Sequence, residues 1–361
     1  MVISAVSVLI FLSALAVGIN DAMIRNSVSL FSGHISGFNL PVSLSREKLV
    51  TQNVQSALQR RMHPGILENQ GHFAVVTLVG IHPEEEKRST ALWKKTVQGR
   101  YPEAGQNEIY MSRSTAEILA VRVTDTIRFR KDLYSNPVDL RVAGIYQTGT
   151  DRVDLRLAFI PEGITGMPAE TWDAAVFLHD GVRTADVMAQ YRQFQTGGAI
   201  FKSWEEMMPD LKQLIELNYV SMSIVMVLVF GVVSIGIACA FAISILRNLR
   251  EYGIMKSMGM TPGETVLLVF SEVVLMNLAA SVIGVLAGIT ISLAAAKTGI
   301  DLSAFTSYNQ YFIVSGVIYP RLTVFSWCLP PALALIFSLF AVIWPVIIII
   351  RGNVTDILRS I

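Results

Sequence analysis

The side chains in this sequence that could do covalent or metal chemistry are few and poorly placed for it. His72 and His82 flank one apolar run, "HFAVVTLVGI". A zinc site needs three or four converging ligands, and the pair supplies two, so both are read as ordinary surface histidines. The acidic run "PEEEK" (83–87) is read as a solvated loop. "GGAIFKS" (197–203) has two glycines and a lysine, but neither the spacing nor the following apolar helix of a phosphate cradle. No H-E-x-x-H, C-x-x-C or G-x-S-x-G occurs. The expectation is a chain with no catalytic residue, no metal site and no cofactor of its own.

The surroundings of these residues point to a membrane. The chain has 361 residues, 52% of them hydrophobic and 16% charged, with a mean hydropathy of +0.50. That is too apolar for a water-soluble protein of this length. A net charge of +1 without a basic stripe argues against nucleic acid as a partner. Four stretches are long enough to span: residues 1–21, 217–246, 265–297 and 322–350. The first lacks a basic leader and a small-residue cleavage site, so it is expected to be a retained helix. In the fourth, Pro330, Pro331 and Pro345 should kink the helix or bound its turns. Cys239 and Cys328 both fall in these runs and read as small apolar fillers.

Charge sets the orientation. Arg247, Arg250 and Lys256 lie between the second and third spans, and Arg351 and Arg359 follow the fourth. Residues 247–264 and the tail 351–361 should therefore be cytoplasmic. The loop 298–321 and the long segment 22–216 should be periplasmic. Lys297 and Arg321 oppose this weakly.

Residues 22–216 have the composition of a soluble domain and hold 22 of the 29 Lys and Arg residues. Alternation and turn residues suggest a mixed α/β domain. Strands are expected at 72–81, 107–112, 125–130, 138–147 and 155–160. An amphipathic helix is expected at 46–62, with Leu49, Val50, Val54 and Leu58 on one face, and a shorter one at 114–121. Ser203 should cap a helix with Glu206 at its third position, kinked at Pro209 and running into the second span. Such a helix would act as a rigid rod.

Two features stand out within the spans. Glu272 is an intramembrane carboxylate, which is costly and tends to face protein or water. Gly284 and Gly288 form "GVLAG", a G-x-x-x-G that lets helices approach closely.

The stretch "NLREYGIMKSMGMTPGE" (248–264) is too apolar for a plain connector. "TPGE" starts a helix: Thr261 caps, Pro262 takes the first position and Glu264 the third. Before it, residues 249–258 make a short amphipathic helix ended by Gly259. Ile254, Met255 and Met258 lie near one face, and Arg250, Glu251 and Lys256 are wettable. Such an element suits docking into a groove on a cytosolic partner.

That stretch resembles the "R-E-(I/Y)-(A/G)-I-(L/M)-(K/R)-x-(I/M)-G" element of ABC-transporter permeases of the FtsX/MacB/lipoprotein-releasing superfamily. "VTLVGIHPEEE" is similar to a strand and turn of the lipoprotein-releasing branch. So are "VQGRYPEAGQNEIYMSRSTAEILAVRVTDTIRF" and "VAGIYQTGTDRVDLRLAFIP". The first of these departs from the pattern at Thr124, where the family usually has Gly. "WPVIIIIRGNVTDILRS" resembles the family's terminal segment, with Asn353–Val354 where a Pro is usual.

The resemblance implies an integral membrane protein of four transmembrane helices, with a large α/β periplasmic domain inserted between helices 1 and 2, in a bacterial inner membrane. It implies a permease without ATPase activity. ATP and Mg would be bound by a separate cytosolic ABC ATPase dimer, docking on Arg250, Glu251, Ile254, Met255, Lys256, Met258 and Gly259. A second permease subunit would complete a homo- or heterodimer. Lipoprotein would be the cargo and a periplasmic carrier its acceptor. A MacB-type efflux permease and an FtsX-type mechanotransmitting scaffold are the alternatives. Acyl chains are expected between the outer halves of the first two spans, at Leu12, Leu15, Ala16 and Ile19 and at Leu217, Val220, Ile224 and Leu228.

Overall fold

The computed structural model describes residues 1–351 except 133, 150, 165–170, 180, 196, 307–310 and 312–315. The expected tail 351–361, beyond Arg351, and much of the expected loop 298–321 lie outside the described residues.

In chain order the first elements are α1 (Val2–Leu30), β1 (Ile35–Pro41), β2 (Val54–Asn69), β3 (His72–Ile81), α2 (Pro83–Ser89), β4 (Thr96–Gly99) and β5 (Glu108–Ser112). Then come α3 (Arg113–Ile118), β6 (Thr126–Arg130), β7 (Val138–Tyr146), α4 (Asp151–Asp154), β8 (Leu157–Pro161), β9 (Thr171–Leu178), α5 (Thr184–Tyr191) and β10 (Ile200–Ser203). The rest are α6 (Trp204–Met207), α7 (Pro209–Arg247), α8 (Leu249–Ser257), α9 (Pro262–Thr298), β11 (Ile300–Asp301), α10 (Ser303–Thr306), β12 (Val317–Ile318) and α11 (Val324–Arg351). Two compact units result. One is Met1–Ala22 with Gln213–Leu302 and Val317–Ile361; the other is Met23–Lys212 with Ser303–Gly316.

The second unit is built on a mixed sheet that closes on itself. β2 pairs with β3, β3 with β8, β8 with β5, β5 with β7, β7 with β6, and β6 with β2 again. Closure leaves these strands a shared interior. Leu67, Val76, Leu78, Ile109, Phe129 and Val142 fill it, and α3 contributes Ala116. The N-terminal half of β2 continues into a flank of order β10-β1-β9-β2, which packs Ile35, Leu40, Trp172 and Val176 against Val187 and Tyr191 of α5. The five strands read from alternation are present as β3, β5, β6, β7 and β8. β1, β9 and β10 were not anticipated.

Three expectations for this unit are overturned. Residues 46–62 are not a helix: a short 3-10 turn at Arg46–Leu49 leads into the sixteen-residue strand β2. Val54 and Leu58 lie four apart, a spacing that suits one helix face and one strand face alike. Pairing with β3, β9 and β6 decides for strand. "PEEEK" is not a solvated loop but the start of α2, and its Glu86 is buried against Arg60. Ser203 sits at the N-cap position of α6 without a side-chain cap bond. Moreover α6 ends at Met207, and Pro209 opens α7 instead of kinking it. Proline is tolerated in a first turn, where its missing N–H has no intrahelical partner to lose.

In the first unit four helices are long and apolar enough to cross a membrane, within α1, α7, α9 and α11. Val6, Leu9 and Ile10 of α1 pack with Met226 and Phe230 of α7 and Ala334 of α11. Val269 and Val273 of α9 pack with Val342 and Val346 of α11. α11 is one continuous helix through all three prolines, so none of them bounds a turn. In membrane helices neighbouring groups re-satisfy the carbonyls that proline frees. Cys239 and Cys328 are free thiols on exposed helix faces.

Candidate functional site: the α7–α9 connection and the helix bundle

The connection between α7 and α9 is a short helix with a sharply defined end. α8 stops in a two-bond motif: Met258 N–H donates to Ile254 O at 3.0 Å, and Met260 N–H reaches back to Met255 O at 3.1 Å. The second bond needs a left-handed residue between them, and Gly259 supplies it with φ 99°. One residue later α9 begins with a reciprocal box. Thr261 N–H and Oγ1–H donate to Glu264 Oε2 at 2.8 and 2.9 Å, and Glu264 N–H donates to Thr261 Oγ1 at 3.3 Å. Capping boxes satisfy donors that a helix start otherwise leaves open. Both features lie at the C-terminal side of α8 and fix its junction with α9.

Two apolar side chains, one in α8 and one just past it, face outward. Met258 is 75% exposed and Ile254 46%, with Met255 half-buried and Glu251 exposed. The side chains of Arg250 and Lys256 lie outside the described residues. Large apolar side chains on so small an element form a contact face.

Gly284 and Gly288 lie where α9 meets α1. A Cβ on Gly288 would stand 2.9 Å from Ile10 Cβ and 3.0 Å from Ser7 O, and one on Gly284 would stand 3.0 Å from Ile3 O. Ser7 Oγ donates across this contact to Gly284 O at 2.9 Å. Glu272 is exposed on α9.

Three of the residues expected at acyl chains share one groove. Val220, Ile224 and Leu228 line a groove of ≈ 690 Å³ together with Tyr219, Ser223 and Val227 of α7. Its other wall is Thr323 and Phe325 at the start of α11. Leu217, exposed on α7, is not among its lining residues, and neither are Leu12, Leu15, Ala16 and Ile19 of α1.

In the sheet unit, the quoted segment "VAGIYQTGTDRVDLRLAFIP" contains a closed loop. Asp154, 7% exposed, accepts from Thr148 N–H at 3.0 Å, Thr148 Oγ1–H at 2.7 Å and Gly149 N–H at 2.8 Å. Ser112 Oγ accepts from Thr115 N–H at the start of α3 and donates to Asp154 O. The sequence reading quoted Asp154 in its segment but gave it no role. His82 pairs with Glu162, and no group of metal-ligating side chains occurs among the described residues.

Residues 223–354 match a family model described as FtsX-like permease C-terminal. The match takes in α8, the Gly259 turn and capping box that follow it, and Gly284 and Gly288. Among solved structures, the periplasmic region of MacB from Actinobacillus actinomycetemcomitans is similar at 17% identity, covering 54% of this chain and 97% of that one, with a TM-score of 0.37. The extracellular domain of the noncanonic ABC-type transporter YknZ from Gram-positive bacteria is similar at 12% identity, covering 47% of this chain and 98% of that one, with a TM-score of 0.34.

Proposed function

We propose that this chain is the membrane subunit of an ABC transporter and that α8 is the element on which a separate cytosolic ATPase pushes. The observation that carries this reading is the exposure of Ile254 and Met258 at a short helix whose junction with α9 is fixed by the Gly259 turn and the Thr261–Glu264 box, inside the FtsX-like permease match. A junction fixed by a glycine turn and a capping box passes a displacement of α8 on to α9 instead of absorbing it. α7 runs unbroken from Pro209 to Arg247, which suits transmission away from α8. ATP and Mg belong to the partner on this reading.

The cargo is proposed to be lipoprotein, released from the inner membrane toward the outer membrane through a periplasmic carrier. The resemblance of residues 75–160 to the lipoprotein-releasing branch supports it. A second permease copy or a sister subunit completes the transporter.

The test is a pull-down in mild detergent, wild type against Met255→Asp/Met258→Asp, with ATP turnover read while acylated lipoprotein is added. An ATPase should co-purify with the wild type and be lost from the double variant, and lipoprotein should change turnover. Turnover that responds only to soluble peptides or drugs makes the chain an efflux permease. Recovery of no ATPase with the wild type sinks the coupling role of α8.

A further inference from the structure

The groove between α7 and the start of α11 has a polar cluster at one end. Asn218, next to Tyr219 of the groove, donates through Nδ2 to Asn20 Oδ1 at 3.0 Å. Arg321, two residues before Thr323 of the groove, pairs with Asp21 at 2.8 Å. The backbone fixes Arg321 there: its N–H donates to Ala14 O at 3.0 Å. The segment comes close to α1 because a Cβ on Gly18 would stand only 2.3 Å from Tyr319 O. Although paired, the Arg321 side chain is 53% exposed, so part of its donor fork faces outward.

From Tyr219 to Leu228 the groove follows α7 for about 14 Å at 1.5 Å per residue. That is about half the 30 Å hydrocarbon thickness of a bilayer, too short to seat a partner helix along a full span and suited to one lipid chain within one leaflet. The groove occupies the half of α7 farther from α8. Its wall is apolar apart from Tyr219, Ser223 and Thr323. Tyrosine marks the headgroup level of a membrane. An arginine fork matches phosphate oxygens in geometry and charge.

We infer that this groove binds a glycerophospholipid from the leaflet remote from α8, with one acyl chain along Val220, Ile224 and Leu228 and its phosphate on Arg321. The site does not depend on the identity of the cargo. The phosphate is what separates it from a cargo site, since a lipid-modified cysteine carries acyl chains beneath an uncharged glyceryl thioether.

The test uses the full chain in nanodiscs of phosphatidylethanolamine and phosphatidylglycerol, doped with a phospholipid bearing a diazirine in one acyl chain. After illumination, labelled peptides are mapped by mass spectrometry. Label should concentrate on residues 219–228, well above the exposed positions Val232, Ile235 and Ile243 of the same helix. Ile224→Trp, which fills the groove from an exposed position, should abolish the enrichment. Arg321→Gln should lower it about ten-fold, the loss of a charge-assisted bond to phosphate, whereas Arg321→Lys should retain most of it. Even labelling along α7 overturns the site, because bulk lipid contact would explain it. Enrichment that survives Arg321→Gln overturns the phosphate assignment. A diazirine-bearing lipidated peptide that labels 219–228 in place of the phospholipid gives the groove to cargo and also overturns the inference.

Discussion

Arg60 and Glu86 form a two-pronged ion pair inside the sheet unit, Nε to Oε1 at 2.7 Å and Nη2 to Oε2 at 3.0 Å, with side chains only 3% and 4% exposed. Arg60 also donates Nη1–H to Phe31 O at 2.6 Å, and its guanidinium lies 4.0 Å over the Phe31 ring. One guanidinium thus ties β2, α2 and the residue that follows α1. Buried pairs stabilise little against an apolar replacement, yet removing one partner strands a charge. Glu86→Ala is expected to cost about 3–5 kcal/mol, read as a lower denaturant midpoint of the sheet unit in the full-length protein. Replacing both partners with leucine should cost less than Glu86→Ala. A double variant as damaged as the single one would mean that the bond to Phe31 O, and not the charge pair, dominates.

Thr124 adopts φ 82° in the turn before β6, a conformation that is a genuine outlier for a β-branched residue. It is held there by its N–H bond to Val142 O at 2.8 Å. Glycine adopts this conformation without strain. Thr124→Gly should raise stability by about 1 kcal/mol, the lower end of the strain expected for such a residue. An unchanged or lower unfolding midpoint would show that contacts of the threonine side chain outweigh its strain.

Gly288→Leu should separate α1 from α9, since even a Cβ would meet Ile10 Cβ at 2.9 Å. Backbone has no room to yield there, and overpacking typically costs about 1–3 kcal/mol. Cysteine pairs placed across the α1–α9 contact should cross-link less well in this variant, whereas Val282→Leu, on the exposed face of α9, should leave cross-linking unchanged.

The cap of α9 can be weakened without touching the exposed face of α8. Thr261→Ala removes the side-chain half of the box, the bonds made by Thr261 Oγ1, and leaves the backbone N–H of residue 261 bonded to Glu264; it should cost about 1 kcal/mol of local helix stability. Amide exchange at residues 263–265 should speed up several-fold, with little change in the rest of α9. On the proposed coupling role, the variant should still bind the ATPase but transmit its motion less efficiently, so that turnover loses part of its response to cargo.

His63 on β2 is buried, and burial first, then Lys131 and Arg61, holds its pKa below the ordinary imidazole value. The folded state therefore binds a proton less readily than the unfolded chain. Its contribution to stability is complete above the unfolded pKa of about 6.5 and is lost as pH falls through that value toward the folded one. Between pH 7.5 and 5.5 the wild type should lose more stability than His63→Gln. Parallel pH profiles for the two proteins would rule His63 out as the source.

Much of the membrane part was legible from residue types alone. Long charge-free runs admit few structures in lipid, and "TPGE" and Gly259 have local conformations that do not depend on distant partners. The strands β3, β5, β6, β7 and β8 were legible because one face of each is buried. Residues 46–62 were misread because Val54 and Leu58 satisfy both periods. Only pairing with three other strands resolves that choice, and pairing is a property of the whole sheet.

The sequence by itself determined the spans and the junction between α8 and α9, because chain length in lipid, a capping threonine and a glycine turn act within a few residues. The tertiary structure alone decided what the polar residues do. Glu86 looked like any solvated carboxylate until α2 brought it to Arg60. Arg321 counted only as a stray charge until the approach at Gly18 set it beside Asp21 at the end of the α7–α11 groove. Asp154 became a loop clamp only when the chain turned back on Thr148. Ion pairs and grooves form between residues as far apart in the chain as Asp21 and Arg321, and no local propensity encodes which of them will meet.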